Sequence, residues 1–267
     1  MKNSIFKIMF VMMISTLLFN CQNDDNSNTP VTPVTPVTPN AIDCIPVNLQ
    51  NSLIAFYPFS NGSLNDASGN NYHLTNSTTA SPGTDRNGNA TCAFHFKKAN
   101  GDYLEYVNPV FLNGFALQDF SISLWYKNEN TQANSDFELL IGRDDGFHCP
   151  NTNGQWSIAL YDLRKPNFGN NQFSINWDSD PPNSVSVTTS QWRHLVIISA
   201  GLNFQIFLDG ESSSSFTIGP CGPTSSDIGN LFLGKYFDGY LDDVAIFNRV
   251  LTASEIISLK SLGSCCM

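Results

Sequence analysis

Alternation with a period of two is the feature that most restricts this chain. Phe120, Ile122, Leu124 and Tyr126 fall on one side of a strand register, and Ser121, Ser123, Trp125 and Lys127 on the other. Successive side chains of an extended segment point to opposite faces, so such a run builds a strand with one apolar side. The pattern recurs in Phe173, Ile175, Trp177 and in Phe204, Ile206, Leu208. Twelve short runs have strand character: Leu53–Phe59, Cys92–Phe96, Tyr103–Val107, Phe120–Lys127, Phe137–Arg143, Trp156–Asp162, Gln172–Asp178, His194–Ala200, Asn203–Leu208, Ser215–Ile218, Leu231–Lys235 and Tyr240–Phe247. Gly, Asn, Asp, Pro and Ser separate them, and almost no helical periodicity precedes residue 252. The expected fold is all-β, two antiparallel sheets packed as a sandwich. A 41% hydrophobic content with 20 phenylalanines is enough for one large domain with a substantial core. Beyond the last strand, Thr252 and Glu255 have capping-box spacing, and Leu251 and Ile256 have that of a hydrophobic staple. One short helix is therefore expected at the C-terminal end.

Residues 1–20 read as a signal peptide, with Lys2 and Lys7 ahead of an apolar run too short for a comfortable membrane span. Leu17-Leu18-Phe19-Asn20-Cys21 resembles a bacterial lipobox, with Asn20 where Gly or Ala is usual. That resemblance implies lipidation of Cys21, and the Gln22-Asn23-Asp24-Asp25 that follows resembles the surface-export signal of Bacteroidota lipoproteins. Residues 21–43 continue as an acidic and then Pro-Val-Thr-repeating linker, an extended spacer because proline at every third position fixes φ and removes donors. The domain proper occupies residues 44–267. The expected location is the outer membrane, held by acyl chains alone and exposed at the cell surface; ordinary secretion is the alternative. A net charge of −10 repels nucleic-acid phosphates and excludes that partner.

Four stretches, in order, resemble the LamG-like jelly rolls of the concanavalin A-like lectin/glucanase superfamily. "LIAFYPFSNGSLNDASGNNYHLT" (53–75) is similar to the opening motif and "FSISLWYK" (120–127) to the tryptophan-bearing strand. "QWRHLVIIS" (191–199) with "FQIFLDGE" (204–211) is similar to the Trp-x-His hairpin, and "FDGYLDDVAIFNRVLTASEI" (237–256) to the closing strand and helix. The resemblance implies a jelly-roll sandwich whose first and last strands lie side by side. Region 143–184 departs from the family pattern.

Seven cysteines are present, and setting Cys21 aside leaves Cys44, Cys92, Cys149, Cys221, Cys265 and Cys266, for which disulfides are the default in an exported chain. Cys149 and Cys221 both lie in loop-like sequence and are paired on that ground. The family's meeting termini imply a clasp between Cys44 and Cys265 or Cys266. Cys92 alternates with Phe94 and Phe96, which also suits a buried thiol.

A glucanase would need two carboxyl groups roughly 5 Å apart, carried as Glu-x-Asp-x-x-Glu on one strand face. No such run exists, so an enzyme is not expected; an atypical glycoside hydrolase is the alternative. Asp242 and Asp243 are adjacent and in a regular strand point to opposite faces. The resemblance implies a structural calcium ion at a sandwich edge, with Asp66 and Asp242 as ligands and Asn70 as a weaker one. Against this, Asp66 and Asn70 also suit an Asx turn that bonds its own backbone. The expected function is binding of extracellular carbohydrate, with a cell-surface protein as the alternative partner. Trp125, Trp177, Tyr126 and Asp178 are the ligand-binding candidates, an aromatic face for the sugar ring and a polar group for its hydroxyls. Core packing is the competing role for the aromatics. The rim loops 143–155, 178–190 and 219–229 are where specificity is expected.

Overall fold

The computed structural model describes residues 40–131, 137–143, 156–161, 165–170, 174–178, 190–201, 203–212, 214–218 and 229–267, the backbone alone at 174–178 and 214–218. A short helix α1 (Val47–Gln50) precedes the strands β1 (Leu53–Tyr57), β2 (Ser81–Gly83), β3 (Ala93–Phe96), β4 (Leu104–Tyr106), β5 (Phe120–Asn128), β6 (Glu138–Gly142) and β7 (Trp156–Tyr161). Then come β8 (Lys165–Asn170), β9 (Ser174–Asp178), β10 (Trp192–Ala200), β11 (Asn203–Leu208), β12 (Glu211–Ser212), β13 (Ser214–Ile218), β14 (Leu231–Leu233) and β15 (Gly239–Phe247), with α2 (Ala253–Ser261) last.

Two antiparallel sheets result. One runs β12-β11-β10-β5-β15-β3-β2 with β1 also paired to β15, and the other runs β13-β9-β8-β7-β6-β14-β4. All twelve expected runs are strands. The three that the alternation missed, β2, β8 and β12, are built largely of Ser, Pro, Gly and Asn or are very short. Their backbones complete the ladders without supplying an alternating apolar face.

β15 organises its sheet. β5 pairs along one edge, while β3 (at Gly239–Leu241) and β1 (at Val244–Phe247) share the other. Leu53 faces Phe247 and Tyr57 faces Val244, so the first and last long strands are neighbours, as the resemblance implies. Gly239 opens the strand at φ 151° where a side chain would run into the Lys127 carbonyl. A bulge between Asp242 and Ala245, with Asp243 at φ 45°, inserts one extra residue. Leu241, Val244 and Ile246 thereby all reach the core between the sheets.

That core contains Phe120, Ile122, Leu124 and Tyr126 from β5, opposed by Trp156, Ile158, Leu160 and Phe168 of the second sheet. A second, smaller core covers the other face of the first sheet. Phe56, Val196, Ile198, Phe207, Ala245 and Phe247 are roofed by Leu49 of α1 and by Ile256 and Leu259 of α2. The roof helix α2 begins at a capping box. Thr252 Oγ1 accepts from the Glu255 N–H at 3.3 Å, and Glu255 Oε2 accepts from the Thr252 N–H at 2.8 Å. Arg249 grips the same carboxylate with both guanidinium nitrogens and, with the Thr252 bonds, holds it down to a pKa of about 2.

Candidate functional site

Alternation places Trp125 away from the inter-sheet core, and it is there, half-buried. The surface it faces is not open. Arg86 lies with its Cζ 4.6 Å from the indole centroid, and the His194 ring packs at 5.1 Å. Arg86 also donates to Asp242 Oδ2 at 2.6 Å and contacts Asp243 Oδ2 at 2.7 Å, then reaches the Gly263 carbonyl of the tail at 2.8 Å. The strand bulge puts both carboxylates on this side, which corrects the expectation that Asp242 and Asp243 diverge. Burial, and for Asp242 the charge of Asp243, push both carboxyls above the usual range, against the pull of Arg86. His194, whose Nε2 meets Ser123 Oγ at 2.9 Å, is driven down to about 3 by burial and by Arg86 and Lys260, so its ring is neutral. Trp125 is thus a wall of an internal charged hub.

The other expected site residues separate. Tyr126 is buried on the core face of β5, and burial raises its phenol pKa; it is a core residue, which corrects its assignment to ligand binding. Trp177 and Asp178 lie in β9, in register with Ser215 and Ser214, and their side chains fall outside the described residues. Asp66 closes an Asx turn. Its Oδ1 accepts from the Phe56 and Ser68 N–H groups, and its Oδ2 from Ser68 Oγ and the Tyr72 N–H, all between 2.9 and 3.1 Å. Asn70 offers its amide N–H groups to the Leu53 and Ile54 carbonyls at 3.2 and 2.9 Å. With Asp66 filled by protein donors and Asp242 facing Arg86, the donor set proposed for calcium does not fit a cation. Cys92 is bonded to Cys266 rather than remaining a thiol. Cys21, Cys149 and Cys221 lie outside the described residues.

An open groove lies at the end of the sandwich where β1 and β5 begin and β15 ends. It has a volume of about 460 Å³ and is lined by Asn51, Leu53, Ile54, Asn70, Tyr72, Phe111, Asn113, Phe115, Gln118 and Asn248. Its apolar wall is an aromatic stack, Tyr72 on Phe111, with centroids 3.7 Å apart and planes within 6°. Tyr106 meets both edge-on, at 6.1 and 5.1 Å. The buried Tyr57 hydroxyl donates to the Tyr72 carbonyl at 2.8 Å and fixes that loop to the core. Phe111 and Phe115 sit in two single helical turns, Val110–Leu112 and Phe115–Leu117, joined through Gly114 at φ 68°.

Five carboxamides ring this stack, and all five residues are exposed. Asn113 Oδ1 accepts from the buried Arg143 Nη1 at 2.7 Å, which fixes the orientation of its amide. Arg143 Nε also donates to the Gly229 carbonyl at 3.2 Å. No carboxylate, lysine or arginine is among the ten lining residues. Sequence reasoning missed Tyr72, Phe111, Asn51, Asn113, Gln118 and Asn248. The available signal was the connection 107–118, which carries Val110, Phe111, Leu112 and Phe115 with no strand alternation.

Comparisons with known proteins agree with this architecture. The family model described as the concanavalin A-like lectin/glucanases superfamily matches residues 98–257. Among solved structures, botulinum neurotoxin type C, which depends on interaction with two ganglioside molecules to enter cells, aligns at TM-score 0.61 and 18% identity over 80% of this chain and 51% of its own. The binding domain of botulinum neurotoxin DC, solved with rat synaptotagmin II, aligns at 0.61 and 16% over 79% and 52%. That of Paraclostridial Mosquitocidal Protein 1 aligns at 0.58 and 17% over 79% and 52%. This chain spans about half the length of those structures, and at these identities the likeness is one of fold. No curated protein sequence matches it.

Proposed function

This chain belongs to the concanavalin A-like lectin/glucanases superfamily, and from that premise we propose that it is a non-catalytic binding protein whose end groove takes an uncharged extracellular glycan. One observation carries the reading: a stacked aromatic pair lies beside five exposed carboxamides in a groove of about 460 Å³. Aromatic faces suit the apolar side of a pyranose, and the carboxamides together offer donors and acceptors to vicinal hydroxyls. Glycoside hydrolysis needs a carboxyl acid and a second carboxylate, and among the described residues that line the groove there is neither. The uncharged lining favours neutral sugars over sialylated or sulfated ones. In this proposal the domain stands off the outer membrane on its Pro-Val-Thr spacer, anchored through acylated Cys21.

A protein partner is the second reading, favoured by Val107, Val110 and Leu117, exposed at 62, 63 and 45% along the same connection. The folds it resembles include one from a toxin that depends on gangliosides and one solved with rat synaptotagmin II, so both classes of partner suit the scaffold. A glycan array probed with the soluble chain separates them. Binding to neutral oligosaccharides that Phe111→Ala weakens at least about tenfold, a loss of roughly 1.4 kcal/mol, supports the glycan reading. Silence on the array moves the site to a protein partner.

A further inference from the structure

The chain ends in two adjacent cysteines that turn to different partners. Cys266 is bonded to Cys92, just before β3, with Cα atoms 5.4 Å apart. Cys265 is buried in the second core, and Cys44, ahead of α1, packs against that same core. We infer that Cys44 and Cys265 form a second disulfide site, closed by thiol–disulfide exchange with an external disulfide donor, so that the tail is stapled to both β3 and the N-terminal segment.

Both sulfurs are held in place by the chain around them. The Cys265 N–H donates to Asp243 Oδ2 at 3.3 Å, and its carbonyl accepts a bond from the Ser60 hydroxyl. One residue further on lies the Cys92 bridge, and Asn61 Nδ2 then donates to the Met267 carbonyl at 2.7 Å. On the other side, Gln50 Nε2 donates to the Ile42 and Ile45 carbonyls at 3.2 and 2.8 Å, which braces the turn carrying Cys44. Neither thiol has to search for the other, so little ordering entropy opposes closure.

The environments assign the roles. Cys44 is half-buried and within reach of an oxidant; the influence of Cys265 lowers its pKa and makes it the better thiolate. Cys265 is buried, and the influence of Cys44 together with burial raises its pKa. Cys44 Sγ⁻ therefore attacks one sulfur of the donor disulfide and releases that donor's other sulfur as a thiolate. Cys265 then gives up its proton and attacks Cys44 Sγ in the mixed disulfide, expelling the second donor thiolate. Two thiols of this chain are oxidised and one donor disulfide is reduced to a dithiol.

The test is peptide mapping of the full chain, alkylated without reduction after isolation from an oxidising compartment. Because Cys265 and Cys266 are neighbours, two bridges leave one fragment made of three segments, carrying Cys44, Cys92 and the tail. A two-segment fragment of Cys92 and the tail, with Cys44 and Cys265 both alkylated, overturns the proposal, and so does a bridge from Cys44 to Cys149 or Cys221. As a second measurement, Cys44→Ser is reduced and reoxidised with glutathione disulfide. One additional alkylatable thiol, located at Cys265, is expected relative to the parent; an unchanged thiol count overturns the inference.

Discussion

Two regions of this molecule bring aromatic rings together with polar side chains, and they use them in opposite ways. In the hub on the outer face of the first sheet, the polar groups face one another. Arg86 covers Trp125, bridges Asp242 and Asp243, and holds a tail carbonyl, with its side chain only 6% exposed. In the groove at the sandwich end, five carboxamides surround the Tyr72–Phe111 stack, and all five residues are exposed. A ring whose face is already taken by a guanidinium has nothing left for a ligand. What separates the two regions is exposure: the cation and carboxylates beside Trp125 are buried against one another, whereas the carboxamides beside the Tyr72–Phe111 stack lie open to solvent.

The comparison breaks most visibly at Arg86. Arg86→Met leaves two buried carboxylates without a counter-charge, an expected loss of about 3–5 kcal/mol in unfolding free energy, measured by urea denaturation. Adding Asp242→Asn and Asp243→Asn recovers part of that loss, because neutral amides no longer need the cation. If Arg86→Met melts like the parent, the hub is not structural and Trp125 returns as a binding candidate. Phe111→Ala is the counterpart in the groove. It is expected to weaken glycan binding at least about tenfold and to move the melting temperature much less than Arg86→Met does, since Phe111 is only partly buried.

Much of the fold was legible because it follows from alternation and turn chemistry. The β5 pattern predicted both of its faces, and the Thr252/Glu255 spacing predicted the start of α2, where the capping box forms. The pairing of β1 with β15 came from the family resemblance and not from periodicity. What sequence could not supply is register irregularity and cover. Nothing in Leu241-Asp242-Asp243-Val244 says that the strand bulges, yet the bulge alone turns both carboxylates toward Arg86. Nor does the alternation of Trp125 reveal that a residue 39 positions earlier and a tail from the far end of the chain fold over it. β8 went unseen because Pro166, Asn167, Gly169 and Asn170 read as a turn, although they pair along β7. The groove stayed hidden for a related reason: its aromatics sit in a connection whose shape is set by single helical turns and Gly114.

Acidification sharpens the contrast from the side of the hub. The imidazole of His194 titrates near 6.5 when free and near 3 in the fold. Between those values the unfolded chain binds a proton that the folded one refuses, so this group's contribution to stability is complete above about pH 6.5 and is lost progressively toward about pH 3. Asp242 and Asp243 carry the opposite sign. Their raised values favour the fold at low pH, and that contribution declines as pH rises through them. His194→Gln is expected to flatten the acid limb of a melting-temperature profile while leaving glycan binding at neutral pH unaltered. An identical acid limb in the variant would mean that the imidazole is not the group responsible.

The smallest expected effect is none at all, and it concerns the loop beside the groove. Every described bond to the Asp66 carboxylate comes from an N–H or O–H group of β1 or of its own turn, and Asn70 directs its amide hydrogens at the β1 carbonyls. A hard cation needs oxygen lone pairs turned toward a common point, and these are turned toward protein donors. Chelation by EDTA is therefore expected to leave both the melting temperature and glycan binding where they were. A fall reversed by added calcium would show that the turn rearranges around an ion, and that recognition at this end of the sandwich depends on metal rather than on the carboxamides alone.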